Sequence, residues 1–253
     1  MSETVSRLEL GEKTYILVGT AHISSQSVQE VEQIIQSERP NRVCIEIDPS
    51  RYRALTEGST WSSLDIYQVI REKKGFLLLG NLVLTAFQRR LGMELGIRPG
   101  EEMLAAIRTA ESLGIPFALC DRDIQITLRR AWARSSFWGK NKLLATLLSS
   151  MFTSEKLTPE QIEDLKKKNE LESMMEELAG YLPSVKEVLI DERDRYLATR
   201  IYEQPEQKIL AVVGAGHIAG IERWLKALHQ GEVSTDITPL EAVPAPKKIS
   251  RFI

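Results

Sequence analysis

The sequence repeats itself at one place, and that repeat limits what it can fold into. Ile16 to Ser25 reads ILVGTAHISS, and Ile209 to Ile218 reads ILAVVGAGHI. In both, a β-branched apolar run stops at Val-Gly, two small residues follow, and a His-Ile pair introduces a segment of helical spacing. The shared core is V-G-x-x-H-I, and two of the chain's three histidines, His22 and His217 but not His229, hold this place. A continuous apolar run that ends at Gly and passes into a helix is the pattern of a strand buried on both faces. Two such strand ends point to an α/β fold.

The rest of the chain supports that class. RLEL, Gly11-Glu12 and KTYILVG read as a hairpin. After the first His motif, with Ser24 and Ser25 as suitable caps, Val28, Val31, Ile34 and Ile35 follow helical spacing until Pro40, and RVCIEI from Arg42 to Ile47 is a strand. This makes a βαβ unit with a right-handed crossover. Pro99-Gly100 opens a helix with Met103, Leu104 and Ile107 inward, which stops at Gly114 and feeds a strand from Ile115 to Cys120. Near the end, Lys208 to Val213 reads as a strand, Ile221 to Leu228 as a helix, and VSTDITPL from Val233 as a last short strand. The expected architecture is one α/β domain over residues 1–243, a central mixed, largely parallel sheet flanked by helices. Helical insertions are expected at about 52–98 and 124–182, with 244–253 as a linker or tail.

Composition narrows the function classes. Lys+Arg 33 against Asp+Glu 35 gives a net charge of −2, without the basic field of a nucleic-acid binder. Cys44 and Cys120 lie in apolar runs with no metal-type spacing and read as small core residues of a reducing compartment. The N-terminus shows no signal-peptide pattern, so a cytoplasmic domain is expected. The apolar stretch Phe76 to Phe87 is too short to span a bilayer and reads as a buried or interfacial helix. The aromatic, basic region from Trp132 to Phe152 suits a lid, a homo-oligomer surface or a membrane-facing patch.

Ligands of open α/β sheets bind beyond the carboxyl ends of the strands. There the sequence supplies His22, Glu46 and Asp48, then Asp121, Arg122 and Asp123, then His217. A histidine near a helix start is expected to stay neutral against the dipole, as a metal ligand must. Two imidazoles with a carboxylate suit manganese, cobalt or zinc, and such a cation activates water. Glu46, inside an apolar strand, needs a cation or hydrogen bonds. In the helix after Pro183, Glu192 and Arg193 fall on the apolar side with Val188, Leu189, Tyr196 and Leu197, so charges are aimed inward. Arg193 is then a partner for Glu46 or a clamp for a substrate carboxylate. Blander roles compete: Asp48 before Pro49 caps the next helix, and Asp121, Arg122 and Asp123 form an internal ion-pair cluster.

Six segments in this order, GTAHIS, CIEID, PGEEMLAAI, DRDIQITLRRAW, DERDRYLA and VVGAGHIAGI, resemble the TraB/PrgY family over nearly the whole chain. The resemblance implies paired GxxH roles for Gly19 with His22 and Gly214 with His217, and an acidic role for Glu46. It places His22, His217 and Glu46 as metal ligands, Glu46, Asp121 and Arg193 as catalytic, and Glu102, Arg122, Arg129 and Asp194 as substrate-binding. Distant relatives, the TIKI proteins, are metal-dependent peptidases, so a peptide or small-molecule hydrolase using manganese, cobalt or zinc is implied. The rivals are a ligand-binding module without turnover and a membrane-associated oligomeric scaffold. Members of this kind usually continue into a C-terminal membrane segment, so a link to a membrane through a segment following PAPKKISRFI is expected.

Overall fold

The computed structural model describes residues 5–20, 25–57, 100–136 and 186–244. His22, the stretch Phe76 to Phe87, and most of both helical insertions lie outside these residues, so the expectations placed on them stand as they were.

β1 (Val5–Leu10) and β2 (Lys13–Thr20) form the hairpin, with Val5 opposite Val18 and Leu10 opposite Lys13. Gly11 turns the chain at φ 62, a left-handed value that costs a residue with a Cβ about 1–2 kcal/mol. β2 runs parallel to β5 (Lys208–Gly214), β5 to β3 (Arg42–Ile45), and β3 to β4 (Phe117–Leu119), giving the order β1-β2-β5-β3-β4. The last strand in sequence therefore sits in the middle, between β2 and β3. The expected βαβ unit exists, but its two strands do not touch.

Alternation along each strand divides the core. On one face Ile16, Val18, Val43, Ile45, Leu210 and Val212 meet Val31 and Ile35 of α1 (Ser25–Glu38) and Met103, Ala106 and Ile107 of α3 (Glu101–Ser112). Tyr52 and Leu55 of α2 (Pro49–Thr56) pack on the same side. On the other face Tyr15, Leu17, Cys44, Ile209, Ala211 and Val213 meet Leu197, Ala198 and Ile201 of α5 (Glu192–Tyr202) and Ile221, Leu225 and Leu228 of α6 (Ile218–His229). Right-handed crossovers explain the division. The chain crosses the sheet one way from β2 to β3 to β4 and returns the other way to β5, so the helices of the return lie opposite those of the outward path.

Local chemistry fixes where the elements stop. Ile47 N–H folds back on Ile45 O at 2.8 Å, a tight turn that ends β3 two residues early and leaves Glu46 at the sheet edge. Asp48 then caps α2, accepting from the N–H groups of Ser50 at 2.9 Å and Arg51 at 3.1 Å, as its place before Pro49 suggests. α4 (Ile124–Arg134) is capped the same way by Asp123, from Gln125 N–H at 2.7 Å. Val233 to Leu240 is not the short strand that its β-branched residues suggest. Asp236 accepts from Thr238 N–H at 2.9 Å and Pro239 stands in the first turn, so the segment closes into the one-turn helix α7 (Thr238–Glu241). Cys44 and Cys120 are buried free thiols. Among the described residues no helix is long and apolar enough to cross a membrane.

Candidate functional site

The two V-G ends are neighbours. β2 and β5 pair with Gly19 opposite Val213 and Thr20 opposite Gly214, so both repeats leave the sheet at one edge, side by side. A Cβ on Gly19 would lie 3.1 Å from Ala215 Cα and 3.2 Å from Ile218 Cγ1; the glycine of the first turn makes room for the backbone of the second. β5 passes through the 3-10 turn Ala215–His217 to α6 on one face, while β2 and β3 send their chains to α1 and α2 on the other. Strands that diverge in this way open a crevice at their carboxyl ends.

Glu46, 7% exposed, reaches across that crevice. Its Oε2 accepts from Gly214 N–H at 2.7 Å, and its Oε1 accepts from Arg193 Nη2 at 2.6 Å. Arg193 also holds Asp121 bidentately, through Nε at 3.1 Å and Nη2 at 2.7 Å, and its Nη1 lies 3.3 Å from His217 Nε2. On the far side of the imidazole, Nδ1 is 2.5 Å from Asp194 Oδ1. A chain of contacts thus joins the ends of β3, β4 and β5 through one residue of α5. Charges aimed inward from the apolar face of α5 are where the sequence puts them, and Arg193 serves as the partner of Glu46.

Electrostatics follow from this packing. Burial alone would lower the Arg193 pKa, but the carboxylates of Asp121 and Glu46 outweigh it and hold the guanidinium charged. Burial raises Asp194 above its ordinary 3.8 against the pull of His217. For His217 burial works downward, yet Glu46 and Asp194 win over it and over Arg193, so the ring holds its proton above the ordinary 6.5. Against the helix start, which disfavours the charged ring, these two carboxylates favour it.

The other residues singled out in the sequence fall elsewhere. Arg122, its side chain fully buried, gives Nε to Thr127 Oγ1 at 2.9 Å, Nη1 to Glu192 Oε2 at 2.8 Å and Leu240 O at 3.0 Å, and Nη2 to Val188 O at 2.9 Å. Its donors are turned into the protein. Glu102 is buried in the first turn of α3, in the helix layer opposite α5. Arg129 is half-buried on α4, and among the described residues it makes none of the ion pairs of the crevice. Three residues without an assigned role take part in the geometry. Glu192 binds Arg122 and Arg130; Gly220 is so close to Asp194 that a Cβ would fall 1.9 Å from Oδ2. The buried Thr20 hydroxyl, at the end of β2, has no hydrogen-bond partner among the described residues. An inward-facing Glu is visible in the helical pattern; the other two carry no sequence signal beyond their place beside the His motifs.

The donor set fits a divalent cation in kind. His217 Nε2 and Glu46 Oε1 face each other at 3.5 Å, and a carboxylate on the other ring nitrogen is the usual backing of a ligating histidine. Glu46, Asp121 and Asp194 also outnumber the single guanidinium of Arg193. Among the described residues no three His, Cys, Asp or Glu side chains are grouped as a metal site; the third donor of the repeat, His22, is outside them.

A family model described as TraB/PrgY/gumN matches residues 5–235. An uncharacterized protein of Methanocaldococcus jannaschii is 38% identical over 234 residues, which cover 92% of this chain and 57% of that protein. TraB domain-containing proteins of Homo sapiens and Mus musculus are each 31% identical over 266 residues, covering 93% of this chain and 69% of theirs. The chain thus spans little more than half the length of the Methanocaldococcus relative.

Proposed function

The chain belongs to the TraB/PrgY/gumN family, and from that premise we propose that it is a metal-dependent hydrolase acting on peptides, with His22, His217 and Glu46 as the cation's ligands. The observation that carries the reading is the pairing of Thr20 with Gly214, which starts both G-x-x-H turns from adjacent strands beside Glu46. Manganese or cobalt suits the mixed imidazole and carboxylate donors best, with zinc also in the class. When bound, the cation supplies an activated water and polarises the scissile carbonyl.

The chain's own residues have distinct tasks. Asp194 fixes the ring of His217 by its hold on Nδ1. Gly214 N–H fixes one oxygen of Glu46, and the other lies between Arg193 and His217. Arg193 keeps Glu46 and Asp121 together and offers positive charge to a substrate carboxylate. Asp121, which bonds Arg193 and not the ring, is the residue we assign to proton transfer.

Metal analysis of the purified protein, with cleavage of a peptide library under manganese and under cobalt, tests this for wild type, His22→Ala and His217→Ala. The expected result is bound metal and cleavage in wild type and loss of both in each variant. Absence of metal together with absence of histidine-dependent cleavage overturns the reading. The contact of Arg193 with both Nε2 and Glu46 favours a second one, a peptide-binding module without turnover; saturable binding that leaves the peptide mass intact is its signature.

A further inference from the structure

We propose that Glu192 is a positioning residue, which sets Arg193 against Glu46 and Asp121 and is itself locked by Arg122, Arg130 and the segment around α7. Two dipeptides exchange ion pairs crosswise. Asp121 receives Arg193 while its neighbour Arg122 donates to Glu192, the neighbour of Arg193. Neither pair can shift without moving the other, because adjacent residues share one backbone.

The lock on Glu192 is built from buried groups. Arg130 grips it with Nε at 2.8 Å and Nη2 at 2.7 Å, Arg122 adds a third bond at 2.8 Å, and the two arginine side chains are 3% and 0% exposed. Other arginine donors go to the segment around α7: Arg122 to Leu240 O at 3.0 Å, Arg130 to Pro239 O at 2.9 Å and to Ala242 O. Tyr196, on α5, bonds Glu241 at 3.1 Å. α5 itself is entered through a π turn, Glu187–Asp191, a wider turn often found beside functional sites. Its Val188 carbonyl accepts from Arg122 and its Leu189 carbonyl from Arg193. Successive residues of a helix point about 100° apart, so the angle that Glu192 takes dictates where Arg193 aims.

The inference rests on the reading above only in taking Arg193 as part of the site, and its test needs neither metal nor substrate. The probe is the 15N resonance of the Arg193 side-chain Nε–H in the full chain, identified by its loss in Arg193→Lys. Its exchange with solvent is measured in wild type, Glu192→Gln, Arg130→Lys and Leu228→Ala, the last a core truncation on α6 that lowers stability without touching the lock. Glu192→Gln and Arg130→Lys should speed exchange by about tenfold, the effect of losing a charge-assisted hydrogen bond, while Leu228→Ala leaves it at the wild-type rate. Should Glu192→Gln fail to fold, Arg130→Lys decides. Variants that lose stability with wild-type exchange at Arg193 overturn the proposal, since a merely structural role predicts that pattern. Absence of peptide cleavage by the wild-type protein, with these exchange differences present, would count against the hydrolase reading alone.

Discussion

Glu192 and Arg193 are adjacent on one helix and both ion-paired, yet they stand in different kinds of cluster. Around Glu192 the hydrogen bonding is filled: its two oxygens meet Arg122, Arg130 and Arg134, and further donors of Arg122 and Arg130 end on carbonyls of Val188, Pro239, Leu240 and Ala242. Around Arg193 the balance is broken. Glu46, Asp121 and Asp194 gather about one guanidinium and one imidazole, and Arg193 keeps 19% of its side chain exposed. A buried cluster whose surplus arginine donors end on carbonyls fixes a conformation; one with surplus carboxylate and an opening can respond to a ligand. The excess of carboxylate, more than the presence of ionisable residues, is what marks a site here.

The comparison makes its largest claim about stability. Arg122→Ala removes one of the arginines on Glu192, leaves the carbonyls of Val188 and Leu240 without this donor and empties a fully buried site, and is expected to lower the unfolding free energy by about 3–5 kcal/mol. Arg193→Ala opens its carboxylates toward water and should cost about 1–3 kcal/mol. Urea denaturation of the two variants checks the order, and a larger loss for Arg193→Ala would erase the distinction drawn between the clusters. A smaller effect is expected at Gly220, where an alanine Cβ would stand 2.3 Å from Asp194 Cγ and 2.9 Å from its Cβ. Turning Asp194 aside relieves its Cγ and Oδ2, and a small separation of α5 from α6 relieves its Cβ, so the loss from Gly220→Ala is about 1–2 kcal/mol, but the turn takes the carboxylate from His217. Imidazole NMR of the three histidines should then show His217 moved and His229 unmoved.

The smallest effect is in the pH dependence, where the clusters have opposite sense. Burial opposes ionisation of Glu192, but Arg130 and Arg122 prevail and hold its pKa below 4.5. A depressed carboxylate contributes stability that is complete above 4.5 and is lost as pH falls through the lower folded value. His217, whose proton Glu46 and Asp194 hold above 6.5 against burial, contributes stability that is complete below 6.5 and is lost as pH rises through the folded value. Unfolding free energy measured against pH should therefore lose its acid slope in Glu192→Gln and its slope above neutrality in His217→Gln. An acid slope unchanged in Glu192→Gln would show that the carboxylate is not held as described.

Much of this was open to reading from residues, and what was hidden has definite causes. The paired His motifs mark two strand ends because an apolar run that stops at Gly has few other meanings. That the ends are adjacent depends on strand order, which local pattern does not encode; β5 lies between β2 and β3 through contacts made far along the chain. The inward aim of Arg193 follows from helical spacing, but its contact with Asp121 joins residues 72 apart in sequence. Val233 to Leu240 misleads because β-branched residues outnumber the decisive pair, Asp236 and Pro239, which together close a turn. The surroundings of His217 were hidden for a similar reason: a helix start is visible in sequence, whereas Glu46 and Asp194 arrive from other elements.

The strand in the middle of the sheet is the last of the described strands to be made. Until Lys208 to Gly214 emerge, β2 and β3 have facing edges with no strand between them, and unpaired edges invite wrong partners. Glu46 waits across 168 positions of sequence for the Gly214 N–H that completes its bonding, a separation of the kind that slows folding. Closure of the sheet and assembly of the crevice are therefore one kinetic event. A nascent chain that stops short of β5 holds neither.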